Sequence, residues 1–182
     1  GTGGSRLGLK KNDKISVKDL LYGLMLRSGN DAAIALATYV GGSIEKFADL
    51  MNQKAQELGM KNTLFRNPSG LDEEDGGNIS TAYDMSLLIS YAIKNEKFKE
   101  ITGTKHHKVE TDKNIYSWTN KNKLLFSYKN TTGGKTGFTV KARRTLVTTA
   151  SKENLNLAVV TLNDGNDFKD HQDLFEYGFN NY

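Results

Sequence analysis

Cysteine is absent from this chain. That excludes a disulfide scaffold, a thiol nucleophile and thiolate metal sites. It leaves the compartment open. No apolar run approaches the roughly 18 residues needed to cross a bilayer. No signal peptide is present. The first residues, Gly1-Thr2-Gly3-Gly4, carry no methionine and read as a processed product or a fragment. Charge of one sign is also scarce. The 25 Lys and Arg against 21 Asp and Glu give a net charge of only +4. Both signs are interspersed along the chain, so neither a nucleic-acid footprint nor a polybasic membrane patch is present. Acidic surfaces remain weakly favoured partners. The single proline, Pro68, falls in a turn signal, Asn67-Pro68-Ser69-Gly70.

The 182 residues suffice for one domain with a real core. Ser16 to Asp19 has capping-box spacing. Val17, Leu20, Leu21, Leu24 and Met25 then form one apolar helix face, and Arg27 suits the C-terminal end. Ser28-Gly29-Asn30 breaks the pattern. Asn30 or Asp31 is the expected cap of a second helix from Ala32 to about Val40, apolar nearly all round and so expected to be buried. Ser43 caps a third helix with the stripe Phe47, Leu50, Met51, Ala55 and Leu58, ended by Gly59. Asn62 to Asn67 reads as extended, and Asp72 to Asn78 as an acidic loop. Thr81 caps a helix with Met85, Leu88, Ile89, Ala92 and Ile93 inward, and Phe98 with Ile101 marks a short final helical turn.

From Thr102 the character changes. Lys105–Val109 and Asn114–Trp118 suggest a hairpin. Thr145–Ser151 and Leu155–Leu162 are strong strands joined by Lys152-Glu153-Asn154. Phe168–Tyr177 is an amphipathic helix. The class is α+β, with a mainly helical part over 1–101 and a sheet part with a terminal helix over 102–182.

Two strings carry chemistry. Ser28-Gly29-Asn30 lies between two helices. Lys135-Thr136-Gly137 lies in a glycine-rich approach to a hairpin, where Gly133, Gly134 and Gly137 let a backbone lie close to a ligand. Each alone is weak. Their order, with Asp19 to Ala33 and the strings Asn67-Pro68-Ser69-Gly70-Leu71 and Ser80-Thr81-Ala82-Tyr83-Asp84, is specific. The whole chain resembles the serine-type D-alanyl-D-alanine carboxypeptidases, the low-molecular-mass penicillin-binding proteins, whose signature is Ser-x-x-Lys, Ser-x-Asn and Lys-Thr-Gly.

The resemblance implies a DD-peptidase/β-lactamase-like fold, a helical subdomain plus an antiparallel sheet flanked by helices, and an exported protein at the outer face of the cytoplasmic membrane or in the cell wall. It implies acyl transfer on peptidoglycan stem peptides, with β-lactams as covalent inhibitors of the full-length form and no cofactor. Ser28 would relay a proton to the leaving amine. Asn30 would orient the catalytic lysine and bind the substrate amide. Lys135 and Thr136 would hold the terminal carboxylate, with Thr139 adding a contact. The Phe138 N–H, just past Gly137, would form half of an oxyanion hole.

The chain departs from the family at one decisive place. No Ser-x-x-Lys string precedes Ser28. The literal match, Ser43-Ile44-Glu45-Lys46, follows it and already serves as a cap. The fold is therefore expected to be incomplete at the N-terminus, lacking the nucleophile segment, inactive alone and open to self-association through the uncovered surface. Arg143-Arg144 and Ser69 stand where many members carry glycine and histidine. Two other functions fit the same strings: a serine β-lactamase, and a non-catalytic module binding D-Ala-D-Ala peptides or cell wall. No metal site is expected. His106-His107 reads as an exposed hairpin pair with His171 far off in sequence. Asp72, Glu73, Glu74 and Asp75 lack EF-hand spacing and read as a solvated loop. Trp118 and the tyrosines read as core and groove wall.

Overall fold

A computed structural model describes residues 3–74 and 76–182. Asp75 of the acidic loop lies outside the described residues. Helix α1 spans Val17–Arg27, and the Ser16 hydroxyl accepts from the Asp19 N–H as the capping box requires. Helix α2 spans Asn30–Gly41. Its cap differs from expectation. Gly29 holds the cap position without a side-chain bond, and Asn30 opens the helix. The Asp31 carboxylate is drawn instead to the N–H groups of Leu7, Gly8 and Leu9, at 2.9 to 3.2 Å. That pins an extended segment beside α1 and α2. The expected all-round burial of α2 also fails at its end. Ala32, Ala33, Leu36 and Ala37 are buried, whereas Tyr39 and Val40 are 77% and 60% exposed on the side of the last turn that faces away from Phe47 of the next helix.

Helix α3 spans Ile44–Glu57 and is capped by the Ser43 hydroxyl, which accepts from Lys46 N–H at 3.1 Å. Its stripe is interrupted at Leu50, which is exposed. Helix α4 spans Ala82–Ala92 and α5 spans Glu96–Thr102. Between α3 and α4 the expected extended piece shrinks to one bridge, Leu64 to Ile79. Polar side chains hold this stretch. Buried Asp84 accepts from Asn62 N–H and the Thr63 hydroxyl at 2.8 and 2.7 Å. Asn78 accepts from Arg66 and Asn67 N–H groups and donates back to the Asn67 carbonyl.

Strands β1 (His106–Glu110) and β2 (Ile115–Thr119) form an antiparallel hairpin. Val109, Tyr116 and Trp118 from the hairpin bury against Tyr22 and Leu26 of α1 and Ile101 of α5. Trp118 is core. The expected exposed histidine pair is split: His106 is exposed, but the His107 ring stacks on Tyr22 and its Nε2 lies 2.8 Å from Asp19. The pairing arises because α1 passes beneath the hairpin.

The turn α6 (Leu124–Ser127), too short to show a period, leads into a three-stranded antiparallel sheet in the order β3-β4-β5. Strand β3 spans Thr131–Thr139, β4 Arg143–Lys152 and β5 Leu155–Leu162. The glycine-rich run is therefore a strand rather than an approach to one. Helix α7, Asp167–Asn181, covers the sheet with Phe175, which is fully buried against Leu124, Tyr128, Leu146 and Ala150. No helix among the described residues is long and apolar enough to cross a membrane.

Candidate active site

The site lies where α1 and α2 meet the outer edge of β3. Ser28 ends α1 in the left-handed region, at φ 58° and ψ 43°, with its N–H still bonded to the Leu24 carbonyl at 2.9 Å. A non-glycine residue there carries a cost on the order of 1 kcal/mol or more. The bend lets α2 start at once and turns the hydroxyl toward the sheet. On the sheet side, register places Lys135 opposite Val147 and Thr136 opposite Leu146. The Lys135 ammonium donates to Ser28 Oγ and to the Thr136 carbonyl, both at 2.5 Å. Residues 107 apart in sequence thus share one proton-carrying bond. An ammonium has three donors, so one remains for a ligand.

Ser28, Asn30, Lys135, Thr136, Gly137, Phe138 and Thr139 all line one cleft of about 830 Å³. The fold thus brings these seven positions together in one place. The side chain of Phe138 is 67% exposed at the cleft mouth. Asn30 is buried, and its amide donates to the Gly3 carbonyl at 2.8 Å while its backbone N–H bonds Ser5. Ser43 is elsewhere, occupied as the α3 cap.

The glycines of β3 are packed tightly against protein neighbours. A methyl group on Gly133 would strike the Thr102 side chain; on Gly134, the Val147 carbonyl; on Gly137, the Thr145 hydroxyl. Gly134 also sits at φ 143°, beside the irregular step between Thr131 and Gly133. Close protein neighbours are by themselves enough to disfavour a Cβ at these three positions.

Several cleft residues were not read from the sequence. Lys121 lines the cleft and donates to the Ser5 hydroxyl at 3.2 Å. Its pKa is lowered by burial and by the nearby Arg27 cation. Burial, with Lys121 adding repulsion, pulls Lys135 down to about 8. Buried Asn120 and Asn122 hold the Lys121 loop, Asn120 through the Thr102 and Thr104 carbonyls and Asn122 through the Gly133 carbonyl. An Asn-x-Asn spacing was the only trace in sequence. Arg144 and Asp167 also line the cleft, 23 residues apart, as an ion pair no local pattern announces.

The acidic loop is tied down rather than merely solvated. Asp72 accepts from Lys141 N–H, Lys141 Nζ donates to the Glu73 carbonyl, and Glu73 accepts from Asn67. The β3–β4 turn reaches across the cleft rim to make those bonds. No group of three or more His, Cys, Asp or Glu side chains suited to a metal occurs among the described residues.

The family model for D-alanyl-D-alanine carboxypeptidase matches residues 1–166. The D-alanyl-D-alanine carboxypeptidase DacF of Bacillus subtilis is 41% identical over 160 residues, covering 87% of this chain and 40% of its own length. DacC of Escherichia coli is 40% identical over 181 residues, covering 97% of this chain and 44% of its own length. The chain thus spans less than half the length of these curated relatives. The solved D-alanyl-D-alanine carboxypeptidase of Mycobacterium tuberculosis superposes with a TM-score of 0.90 at 32% identity, over 100% of this chain and 70% of that one. A point mutant of the Streptomyces K15 DD-transpeptidase gives 0.90 at 34%, over 96% and 72%. Fold, cleft and sequence agree, and the chain belongs to the D-alanyl-D-alanine carboxypeptidase family.

Proposed function

We propose that this chain is the carboxylate-holding body of a serine-type DD-carboxypeptidase that trims the terminal D-alanine from peptidoglycan stem peptides. The observation that carries the reading is the Lys135–Ser28 bond inside a cleft that also holds Asn30, Thr136 and Thr139. In the reaction, a serine outside these 182 residues attacks the carbonyl between the two D-alanines. The C–N bond breaks, the amine takes a proton through the Ser28 hydroxyl, and water later hydrolyses the ester. Lys135 keeps that hydroxyl oriented and supplies positive potential for the terminal carboxylate, with the Thr136 hydroxyl as its second donor. Asn30 supports the substrate amide, and the Phe138 N–H stabilises the oxyanion. Export to the outer face of the cytoplasmic membrane or the cell wall is part of the same proposal, because the substrate is found there. So is contact between copies of this chain, or with a complementing segment, wherever the fold is left uncovered.

The test has two steps. A form carrying an upstream Ser-x-x-Lys motif is expected to be captured by fluorescent penicillin on a denaturing gel and to release D-alanine from a D-Ala-D-Ala peptide. No capture and no release would overturn the reading; fast turnover of a chromogenic cephalosporin would move it to a β-lactamase. The 182-residue chain alone is expected to bind the peptide without hydrolysing it. With Lys135 near 8, that binding weakens as the pH rises through 8, because the cation facing the carboxylate is lost.

A further inference from the structure

The outer edge of strand β2 carries polar backbone groups that the fold leaves open. Bonds from Thr111 N–H to the Asn114 carbonyl, 2.9 Å, and from Asn120 N–H to the Lys105 carbonyl, 2.8 Å, bracket the β1–β2 ladder. With Val109 opposite Tyr116 and His107 opposite Trp118, the even-numbered residues of β2 are the ones that bond to β1. Ile115, Ser117 and Thr119 therefore turn their N–H and C=O groups outward. Two of these groups are used. Ile115 N–H donates to Asn114 Oδ1 at 3.0 Å, and the Thr119 carbonyl accepts from Arg27 Nη1 at 3.3 Å. The Ser117 N–H and carbonyl have no partner among the described residues.

That edge opens into a second cavity, of about 250 Å³, lined by Arg6, Leu7, Arg27 and β2 with its approach from Asn114 to Trp118. It shares no lining residue with the cleft, and no acid lines it. Arg6 makes no hydrogen bond, ion pair or ring contact with another described residue. Arg27 uses one of its five N–H donors, on Thr119. The acids of the flanking segments are committed elsewhere. Asp13 accepts from the Tyr116 hydroxyl at 2.8 Å, and Asp31 from the N–H groups at 7–9. Lys121, close enough to Arg27 to feel its charge, adds to the positive potential.

Both arginines stand on fixed backbone. Arg6 lies between Ser5, whose carbonyl accepts from Asn30 N–H at 2.9 Å, and Leu7, whose N–H donates to Asp31 at 2.9 Å. The Leu7 side chain sits so close to α1 and its end that a methyl group on Gly23 or Gly29 would strike it. Arg27 belongs to the last turn of α1. The N–H groups at 7–9 are spent on Asp31, so this segment does not pair with β2. The gap between them stays open.

We infer that this pocket binds an acidic peptide in extended form, which adds a strand to the outer edge of β2 and sets its carboxylates against Arg6 and Arg27. The pairing chemistry selects a peptide over a simple anion. Ser117 offers a donor and an acceptor side by side, and an extended backbone meets both. A phosphate would satisfy the N–H and be repelled by the carbonyl. The Ile115 side chain, 56% exposed, adds an apolar contact at the start of the strand. The pocket adjoins the cleft, since Ser5 and Ser28 line the one and Arg6 and Arg27 the other. Binding here is independent of the function proposed above.

The experiment titrates the 182-residue chain by calorimetry with the capped peptide Ac-Thr-Glu-Val-Glu-Thr-NH2, its glutamine counterpart, its backbone N-methylated form, and inorganic phosphate. The glutamate peptide is expected to bind about tenfold more tightly than the glutamine peptide, as two exposed ion pairs imply, and the gap should shrink with added salt. The double variant Arg6→Gln/Arg27→Gln is expected to erase that gap. Ser117→Pro removes an N–H that β1 does not use, so the hairpin ladder stays whole, and it is expected to weaken both peptides alike. N-methylation tests the same pairing without altering the protein and is expected to abolish binding. No binding of the glutamate peptide, equal affinity for the two peptides, or a gap that survives in the double variant overturns the inference. So does undiminished binding of the N-methylated peptide. If inorganic phosphate displaces the glutamate peptide while N-methylation has no effect, the pocket is a simple anion site and the added strand is overturned.

Discussion

The two sides of the cleft are held by different means. On the helical side, single polar side chains do the fixing: Asp31 collects three backbone N–H groups of the segment at 7–9, Asp84 ties down Asn62 and Thr63, and Asn67 and Asn78 fold the loop between α3 and α4. On the sheet side, the β3–β4–β5 ladder and the buried face of α7 carry the load. Ser28 and Lys135 sit one on each side, so their bond is sensitive to both. The helical side is vulnerable to loss of one acceptor. The sheet side is vulnerable to loss of volume or to an added methyl group.

The largest expected effect is on the sheet side. Phe175→Ala removes the ring that fills the space between α7 and the sheet, at a cost of about 3–5 kcal/mol. Urea unfolding measures it; a loss under about 1 kcal/mol would mean that α7 is not the lid of this core.

Acid should act on the same side. His171 is fully buried, its ring nitrogens 2.5 and 3.0 Å from the Thr148 and Thr161 hydroxyls. Burial pulls its pKa from 6.5 down to about 4, which favours the neutral ring in the fold. Between those values the unfolded chain binds the extra proton, so stability is full above pH 6.5 and declines as the pH falls toward 4. The decline amounts to on the order of 3 kcal/mol. Thermal melts from pH 7 to 4 should show it, and a His171→Gln chain should have a flatter profile over that window. An equally steep fall in both chains would remove His171 from the account.

On the helical side, Asp31→Ala is expected to cost about 1.5–3 kcal/mol, since bonds to a charged acceptor are lost together. Hydrogen exchange should rise at Leu7, Gly8 and Leu9 before it rises in β4. A uniform rise across the molecule would erase the distinction between the two sides.

The smallest effect separates structure from chemistry. Ser43→Ala removes the α3 cap and should lower stability by about 1 kcal/mol while leaving D-Ala-D-Ala peptide binding unchanged. Loss of binding without loss of stability would return Ser43 to the site.

Much of the helical side was legible in the chain because its signals are short-range. The Ser16, Ser43 and Thr81 caps act within three residues, and each accepts the bond its spacing requires. Strand β5 begins and ends where its Val- and Leu-rich run does. The order of Ser28, Asn30, Lys135 and Thr136 named a cleft that the fold then assembles. Other features had no local signal. Asn30 could have been a cap and became the first residue of α2, because Asp31 had a better partner in the segment beside it. His107 looked exposed until α1 supplied Tyr22 and Asp19.

The sequence by itself determined where helices start, where strands run and which residue types could serve acyl transfer, because caps, periods and turns are decided among near neighbours. Only the tertiary structure decided what each group faces. Cross-strand register put Arg144 opposite Phe138, helix docking set Asp167 against it, and crowding by Thr102, Val147 and Thr145 explained the β3 glycines. Those contacts join residues from 6 to 31 positions apart, and long-range packing and electrostatics leave no periodic mark on the chain.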